Sequence, residues 1–287
     1  MKDVRPSPIA GTWYPGDPEV LAGSVDQMLA LASPPQPGEI VVGIIAPHAG
    51  HRYSGSVAGH AFGRLVGSSP GLVAIVAPFH GPHTAPILTT AHEAYQTPLG
   101  DVPVDTAALA RFEDHIRAAL GIGVTRIQRD SEHSLEIELP FLQRVLSRPF
   151  RLLPLMLRDQ SRAVAEAVGR ALAESMPGAT PLLIASSDLS HYHPSSEARG
   201  LDHTLLDRIE SFDPEGVLSA ADEGIGYACG VGAIAAVLWA AQLLGATKAR
   251  VVHYADSSEV TGDRSAVVGY GAAVLTRSDS ASQPAPA

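Results

Sequence analysis

Cysteine occurs once in the 287 residues, at Cys229, so no internal disulfide can form. A lone thiol fits a reducing compartment, where stability comes from packing rather than cross-links. Lysine is nearly missing too, found only at Lys2 and Lys248, and the arginines are scattered without a basic run. With a formal net charge of -10, the chain offers no basic face to a phosphate backbone, which argues against nucleic acid as its partner. Aromatic residues make up only 5%, and charged residues 17%, against about 25% in an ordinary globular domain. The core is therefore expected to be aliphatic. No window reaches the roughly 18 uncharged apolar residues of a membrane span. The longest candidate, Val231 to Ala246, is alanine-rich and reads as a buried core helix. The opening MKDVRPSPIAG has no apolar stretch of the signal-peptide kind, and the expectation is a cytoplasmic protein with no membrane association.

What is present is a series of short apolar, β-branched runs. Residues 39–46 (EIVVGIIA), 72–77 (LVAIVA) and 181–185 (PLLIA) have the character of strands buried on both faces. Residues 151–157 are a weaker fourth, because Pro154 lacks the N–H that a central ladder needs. Runs at 249–254 and 266–275 complete the set. Helical patterns fall between them, near 18–32, 55–66, 105–117, 133–147, 161–175, 197–211, 214–222 and 230–245. Asp17 and Pro18 form an N-terminal cap signature for the first of these. Alternating strands and helices predict an α/β fold with a central, mostly parallel or mixed sheet flanked by helices. One domain is expected over 1–276, with a Ser/Pro/Ala-rich disordered tail over 277–287.

Three of the strongest strand runs end in histidine-bearing loops. They lead into Pro47-His48-Ala49-Gly50-His51, Pro78-Phe79-His80-Gly81-Pro82-His83 and Ser186-Ser187-Asp188-Leu189-Ser190-His191. Ligands of open α/β sheets bind beyond the carboxyl ends of the strands, so these side chains are placed to converge. Imidazole suits Zn, Cu, Fe and Ni. Cys229 stands at the entry to the apolar helix, where a lowered pKa would favour the metal-binding thiolate. The alternatives are an inert buried thiol and a nucleophilic Cys–His pair with His191 as the base. Asp188, three residues before His191, can orient that ring for acid/base work or can cap the helix near Ser195. In Asp130-Ser131-Glu132-His133-Ser134-Leu135-Glu136, His133 and Glu136 are expected on one helical face, as metal ligands or as support for them.

Seven motifs carry a family resemblance over nearly the whole chain: AGTWYPGD at 10–17, IIAPHAGHRYSG at 44–55, APFHGP at 77–82, YQTPLGDVPVD at 95–105, DSEHSLEIELPFL at 130–142, SSDLSHY at 186–192 and ACGVGAI at 228–234. In this order they resemble the Memo family, known in microbes as AmmeMemoRadiSam system protein B. That family is in turn similar to class III extradiol, ring-cleaving, non-heme iron dioxygenases of the LigB-like fold. The resemblance implies a metal held by His48, His80 and Cys229. Asp188 and His191 then fall at the acid/base position. It implies iron(II) first, with copper(I) or zinc as alternatives, because a thiolate replaces the carboxylate of the dioxygenase triad. A metal-dependent redox enzyme acting on a small molecule or peptide is the function implied. The other reading is a non-catalytic metal- or peptide-binding protein that works with radical-SAM and AMMECR-type partners. The chain departs from the family pattern at His51, Phe79 and Gly81, where a Tyr and a Ser/His pair are usual. His51 or His83 is the expected compensation.

Overall fold

Short β-branched runs cannot bury themselves singly, and here they pair side by side. The computed structural model describes residues 3–36, 38–176, 178 and 181–278. In chain order the elements are β1 (Val4–Arg5), α1 (Pro18–Leu29), β2 (Glu39–Ala46), α2 (His51–Phe62), β3 (Leu72–Pro78), β4 (Ile87–Thr90), β5 (Ala94–Thr97), β6 (Gly100–Pro103), α3 (Thr106–Leu120), β7 (Thr125–Ile127), α4 (Leu139–Val145), β8 (Arg151–Leu157), α5 (Arg162–Ser175), β9 (Leu182–Ser186), β10 (His191–His193), α6 (Ser195–Glu210), α7 (Pro214–Asp222), α8 (Val231–Leu243), β11 (Lys248–Asp256), α9 (Ser258–Thr261) and β12 (Val267–Ser278).

The main sheet runs β10-β12-β2-β9-β3-β8-β4-β7, with β11 also paired to β12; β1-β5-β6 form a second, small sheet. Its centre, β2-β9-β3-β8, is parallel, and antiparallel strands finish both sides. The fold is therefore α/β with a mixed sheet, as the pattern of runs predicted. Strands β3, β8 and β9 are buried along almost their whole length, as central parallel strands are when helices cover both faces. Helix α8 packs on β2, β3 and β9 and against α5, and its alanine-rich surface is almost wholly buried. Among the described residues no helix is long and apolar enough to cross a membrane.

Pro154 does sit inside the sheet. It pairs with Ile75 of β3, while on its other side Leu152 bridges Val104 and only Met156 and Leu157 pair with β4. The ladder is thus interrupted where the N–H is missing, and the Pro154 carbonyl is satisfied by the Thr89 hydroxyl at 2.7 Å. Asp17 caps α1 as expected, accepting from the Glu19 and Val20 N–H groups. Several boundaries differ, among them that of α2, expected over 55–66 and found over His51–Phe62. The helix expected over 133–147 begins as a single 3₁₀ turn at Glu136–Glu138 and becomes α-helical only at Leu139. The Glu132 carboxylate accepts the His133 and Ser134 N–H groups and fixes the stretch ahead of that turn. Strand β12 also extends through Arg277 and Ser278, both assigned above to the tail, while residues 279–287 lie outside the described residues.

Helices α1 and α2 approach closely because Gly59 has no side chain: a Cβ there would overlap the Met28 carbonyl oxygen. At Gly23, on the exposed side of α1, a Cβ meets nothing within 4 Å. The same substitution should therefore have opposite signs at the two sites. In urea titrations at constant m, Gly59→Ala should lose about 1–3 kcal/mol by overpacking. Gly23→Ala should gain about 0.5–1 kcal/mol through helix propensity.

Candidate metal centre

Because β2, β9 and β3 are hydrogen-bonded neighbours running the same way, their carboxyl ends lie side by side. Each end delivers a functional group: His48 two residues past β2, Ser186 as the last residue of β9, and His80 two residues past β3. His48 and His80 meet edge to face with ring centroids 5.3 Å apart. His133 joins them, stacked on His80 at 4.9 Å and edge-on to His48 at 5.5 Å. One ring nitrogen from each of the three histidines lies within 4.8 Å of the other two, a spacing that can hold a metal ion. Cys229 adjoins this trio through His48, with Sγ 3.1 Å from Nε2.

The second nitrogens of the two strand-end histidines are engaged. His48 Nδ1 lies 2.9 Å from Ser186 Oγ, and His80 Nδ1 lies 2.9 Å from Glu132 Oε1. With Nδ1 protonated on both rings, each Nε2 carries its lone pair, the arrangement expected of oriented metal-binding imidazoles; that of His48 faces the Cys229 thiol, whose proton a bound cation would displace. Glu132 also accepts the His80, His133 and Ser134 N–H groups. Burial alone would raise its pKa, but these bonds hold it well below the usual carboxylate range. The hydrogen bond to Glu132 in turn raises His80. Burial lowers His48 far below its ordinary value and brings His133 to about 4, so both rings are neutral near pH 7.

Several expectations need correction. The thiol of Cys229 is pushed well up, by burial and by the Asp188 carboxyl, rather than lowered by the helix N-terminus. The free N–H groups at that terminus are already used: Gly230 donates to Ser187 Oγ at 2.9 Å and Gly232 to Gln160 Oε1 at 2.8 Å. Gly230 permits this seating, since a Cβ there would come within 2.8 Å of the Ser186 carbonyl oxygen. The imidazole beside the thiol is His48, not His191. Asp188 does not cap α6. Its Oδ1 accepts the His48 and Ala49 N–H groups, fixing the first histidine loop, and Oδ2 lies 4.0 Å from His191 Nε2. That is too long for a hydrogen bond, and the buried Nε2 of His191 has no hydrogen-bond partner among the described residues. Burial raises Asp188 to about 7 and lowers His191. Tyr192 and Tyr227 flank the His191 ring at 5.6 and 6.0 Å.

His133 and Glu136 do not share a face. His133 turns into the cluster beneath Trp13, whose ring is 4.0 Å away, while Glu136 turns away from it to the buried Arg5 and Tyr14 and to Ser7. Arg5 is buried. It bridges Asp130 and Glu136 at 2.5 Å each and donates to the Glu132 carbonyl, so it anchors the stretch that carries Glu132 and His133. His51 stays outside the cluster, donating Nε2–H to the Ile137 carbonyl at 3.1 Å, and His83 Nδ1 accepts from the Ala85 N–H. Neither ring is part of the histidine trio. Glu132, Ser186 and Trp13 fall inside three of the motifs, but spacing alone does not single them out. The one local signal was an acidic residue directly beside His133.

Two predictions follow from these environments. Arg5→Met leaves two buried carboxylates unpaired and should lose about 3–5 kcal/mol in chemical denaturation. Burial holds His51 at about 4, below its ordinary 6.5, so folding selects the neutral ring. His51 should contribute full stability above pH 6.5 and lose it as pH falls toward 4, by up to about 3 kcal/mol. Urea midpoints across that range should flatten in His51→Gln relative to the parent.

A sequence profile of Memo-like proteins matches residues 5–274. The chain is 35% identical to a MEMO1 family protein of Nitrosopumilus maritimus, over 94% of this chain and 98% of the relative. It is also 35% identical to one from Methanothermobacter thermautotrophicus, over 93% and 98%. A third, from Aquifex aeolicus, matches at 35% over 93% and 97%. A solved structure of an uncharacterized Escherichia coli K12 protein is 13% identical over 81% of this chain and 98% of that one, with a TM-score of 0.48, too distant to argue from. With its profile matched from Arg5 to Val274 and its length shared with these relatives, the chain belongs to the Memo family.

Proposed function

We propose that this is a metal-dependent redox protein whose ion is held by His48 and His80, with His133 and Cys229 completing the donor set. The observation that carries the reading is the pair of oriented imidazoles in one three-histidine cluster, each with Nδ1 tied to an acceptor, and with Nε2 of His48 against the Cys229 sulfur that would share its ion. Neutral imidazoles with an adjoining thiol suit iron(II), copper(I) or zinc. Such an ion supplies Lewis-acid and, for iron or copper, electron-transfer chemistry with positions left for a small substrate.

The chain's own groups divide the remaining work. Asp188 holds the His48 loop through backbone hydrogen bonds and keeps Oδ2 toward His191. His191 presents an unpartnered Nε2 that can take or give a proton. Trp13, Tyr192 and Tyr227 are exposed and stand beside His133 and His191, where a substrate could rest on their rings. Ser186 and Glu132 fix the ring orientations.

Anaerobic reconstitution with Fe(II), Cu(I) or Zn(II), followed by metal analysis, tests this. His48→Ala and His80→Ala should lose the ion, and Cys229→Ser and His133→Ala show which fourth group contributes. Ser186→Ala and Glu132→Gln should each weaken binding about 10–100-fold. Metal content unchanged in both His48→Ala and His80→Ala overturns the assignment. A full metal load without oxygen consumption or change of oxidation state would instead favour a metal-binding protein without turnover.

A further inference from the structure

Glu138 is fully buried, yet the metal centre as described gives it no task. It shares one 3₁₀ turn with Glu136, and the two carboxyls are treated very differently. Glu136 receives donors from Arg5, Ser7 and Tyr14. Glu138 reaches one group, the Ser186 hydroxyl at 2.9 Å from Oε1, and its Oε2 has no partner among the described residues.

Proton counting at Ser186 decides what that contact is. Three atoms surround its Oγ: His48 Nδ1 at 2.9 Å, Glu138 Oε1 at 2.9 Å and the Ser134 carbonyl oxygen at 2.5 Å. The hydroxyl has one proton and two lone pairs. The carbonyl can only accept, and it is the nearest of the three, so the hydroxyl proton goes there. His48 then fills one lone pair through Nδ1–H. The second lone pair can meet Glu138 only if Glu138 brings a proton of its own. A carboxylate in this position would face a hydroxyl lone pair and leave Oε2 charged and unpaired in the core.

We infer that Glu138 is held as a neutral carboxylic acid that donates to Ser186 and so locks His48 in the tautomer whose Nε2 faces the metal centre. Burial, with Asp188 nearby, pushes the Glu138 carboxyl far above its ordinary range, in keeping with this assignment. Glu138 is a positioning residue: it acts on His48 through Ser186 and is itself fully buried. With the acceptor capacity of Ser186 filled from both sides, the hydroxyl cannot rotate to donate to His48, and the alternative tautomer is excluded. The consequence for metal affinity rests on the function proposed above; the protonation and the tautomer do not.

The experiment compares Glu138→Gln, whose amide keeps a donor, with Glu138→Leu, which has none. Infrared spectra of metal-free protein should show the C=O band of a protonated carboxyl group that disappears in Glu138→Gln. Nitrogen-15 NMR of metal-free parent and Glu138→Gln should show His48 protonated at Nδ1, and Glu138→Leu should shift it toward Nε2 protonation. Zn(II) affinity should stay within about twofold in Glu138→Gln and fall about 10–100-fold in Glu138→Leu. No missing carboxyl band in Glu138→Gln, or His48 protonated at Nε2 in the parent, overturns the inference. Should Glu138→Leu not fold, the band and the Glu138→Gln tautomer still decide. Failure of the parent to bind any metal would defeat the proposed function while leaving these two readouts intact.

Discussion

The parallel pairing of β2, β9 and β3 is the constraint on which the rest depends. Parallel neighbours must end on the same side, so whatever follows each strand is delivered to one place. Here that brings His48, Ser186 and His80 into adjacent positions although they are separated by up to 138 residues in the chain. Antiparallel pairing at β9 would send Ser186 to the far edge and leave His48 Nδ1 without its acceptor. The site is thus a property of the sheet before it is a property of any motif.

A second constraint follows from burial. Polar groups brought into an aliphatic interior need partners, and several here gather more than one. The Glu132 carboxylate gathers four donors at once, from three backbone N–H groups and His80 Nδ1. Arg5 is held between two carboxylates and lies over the Tyr95 ring. Asp202, also buried, accepts the Ser190 N–H and the Tyr254 hydroxyl and so steadies the segment leading to His191. These bonds fix the stretches 130–136 and 188–191, neither of which is held by a long helix or strand. The His191 nitrogen and the Glu138 oxygen left unpartnered lie within or just behind the metal centre, where chemistry or positioning gives a reason for them.

Much of the fold was legible because it depends on local pattern. Long apolar runs marked β2, β3, β8 and β9, and Asp17 with Pro18 marked the start of α1. The strands of two to four residues, β1, β4, β5, β6, β7 and β10, were not, since so few residues carry no periodicity. At the site, His48 and His80 could be read from the strand-end rule, and the resemblance pointed to Cys229, which does touch His48. The place of His133 could not be settled from spacing. A regular helix would have set it beside Glu136, but the α-helix begins only at Leu139, and the stretch before it is held by long-range contacts of Glu132 and Arg5. The ionisation of Cys229 was misread for a similar reason: the helix terminus beside it is satisfied by Ser187 and Gln160, whose approach is invisible in sequence. Glu138 looks like any other acidic residue until the protons at Ser186 are counted.

The central claim is that imidazoles delivered by adjacent parallel strands share one ion. X-ray absorption spectroscopy at the metal edge of the reconstituted protein measures this directly. The account predicts the outer-shell scattering pattern of at least two imidazole rings, and no metal-edge signal above background in identically treated His80→Ala. A shell of water or carboxylate oxygen alone, or a spectrum unchanged by that substitution, would contradict it.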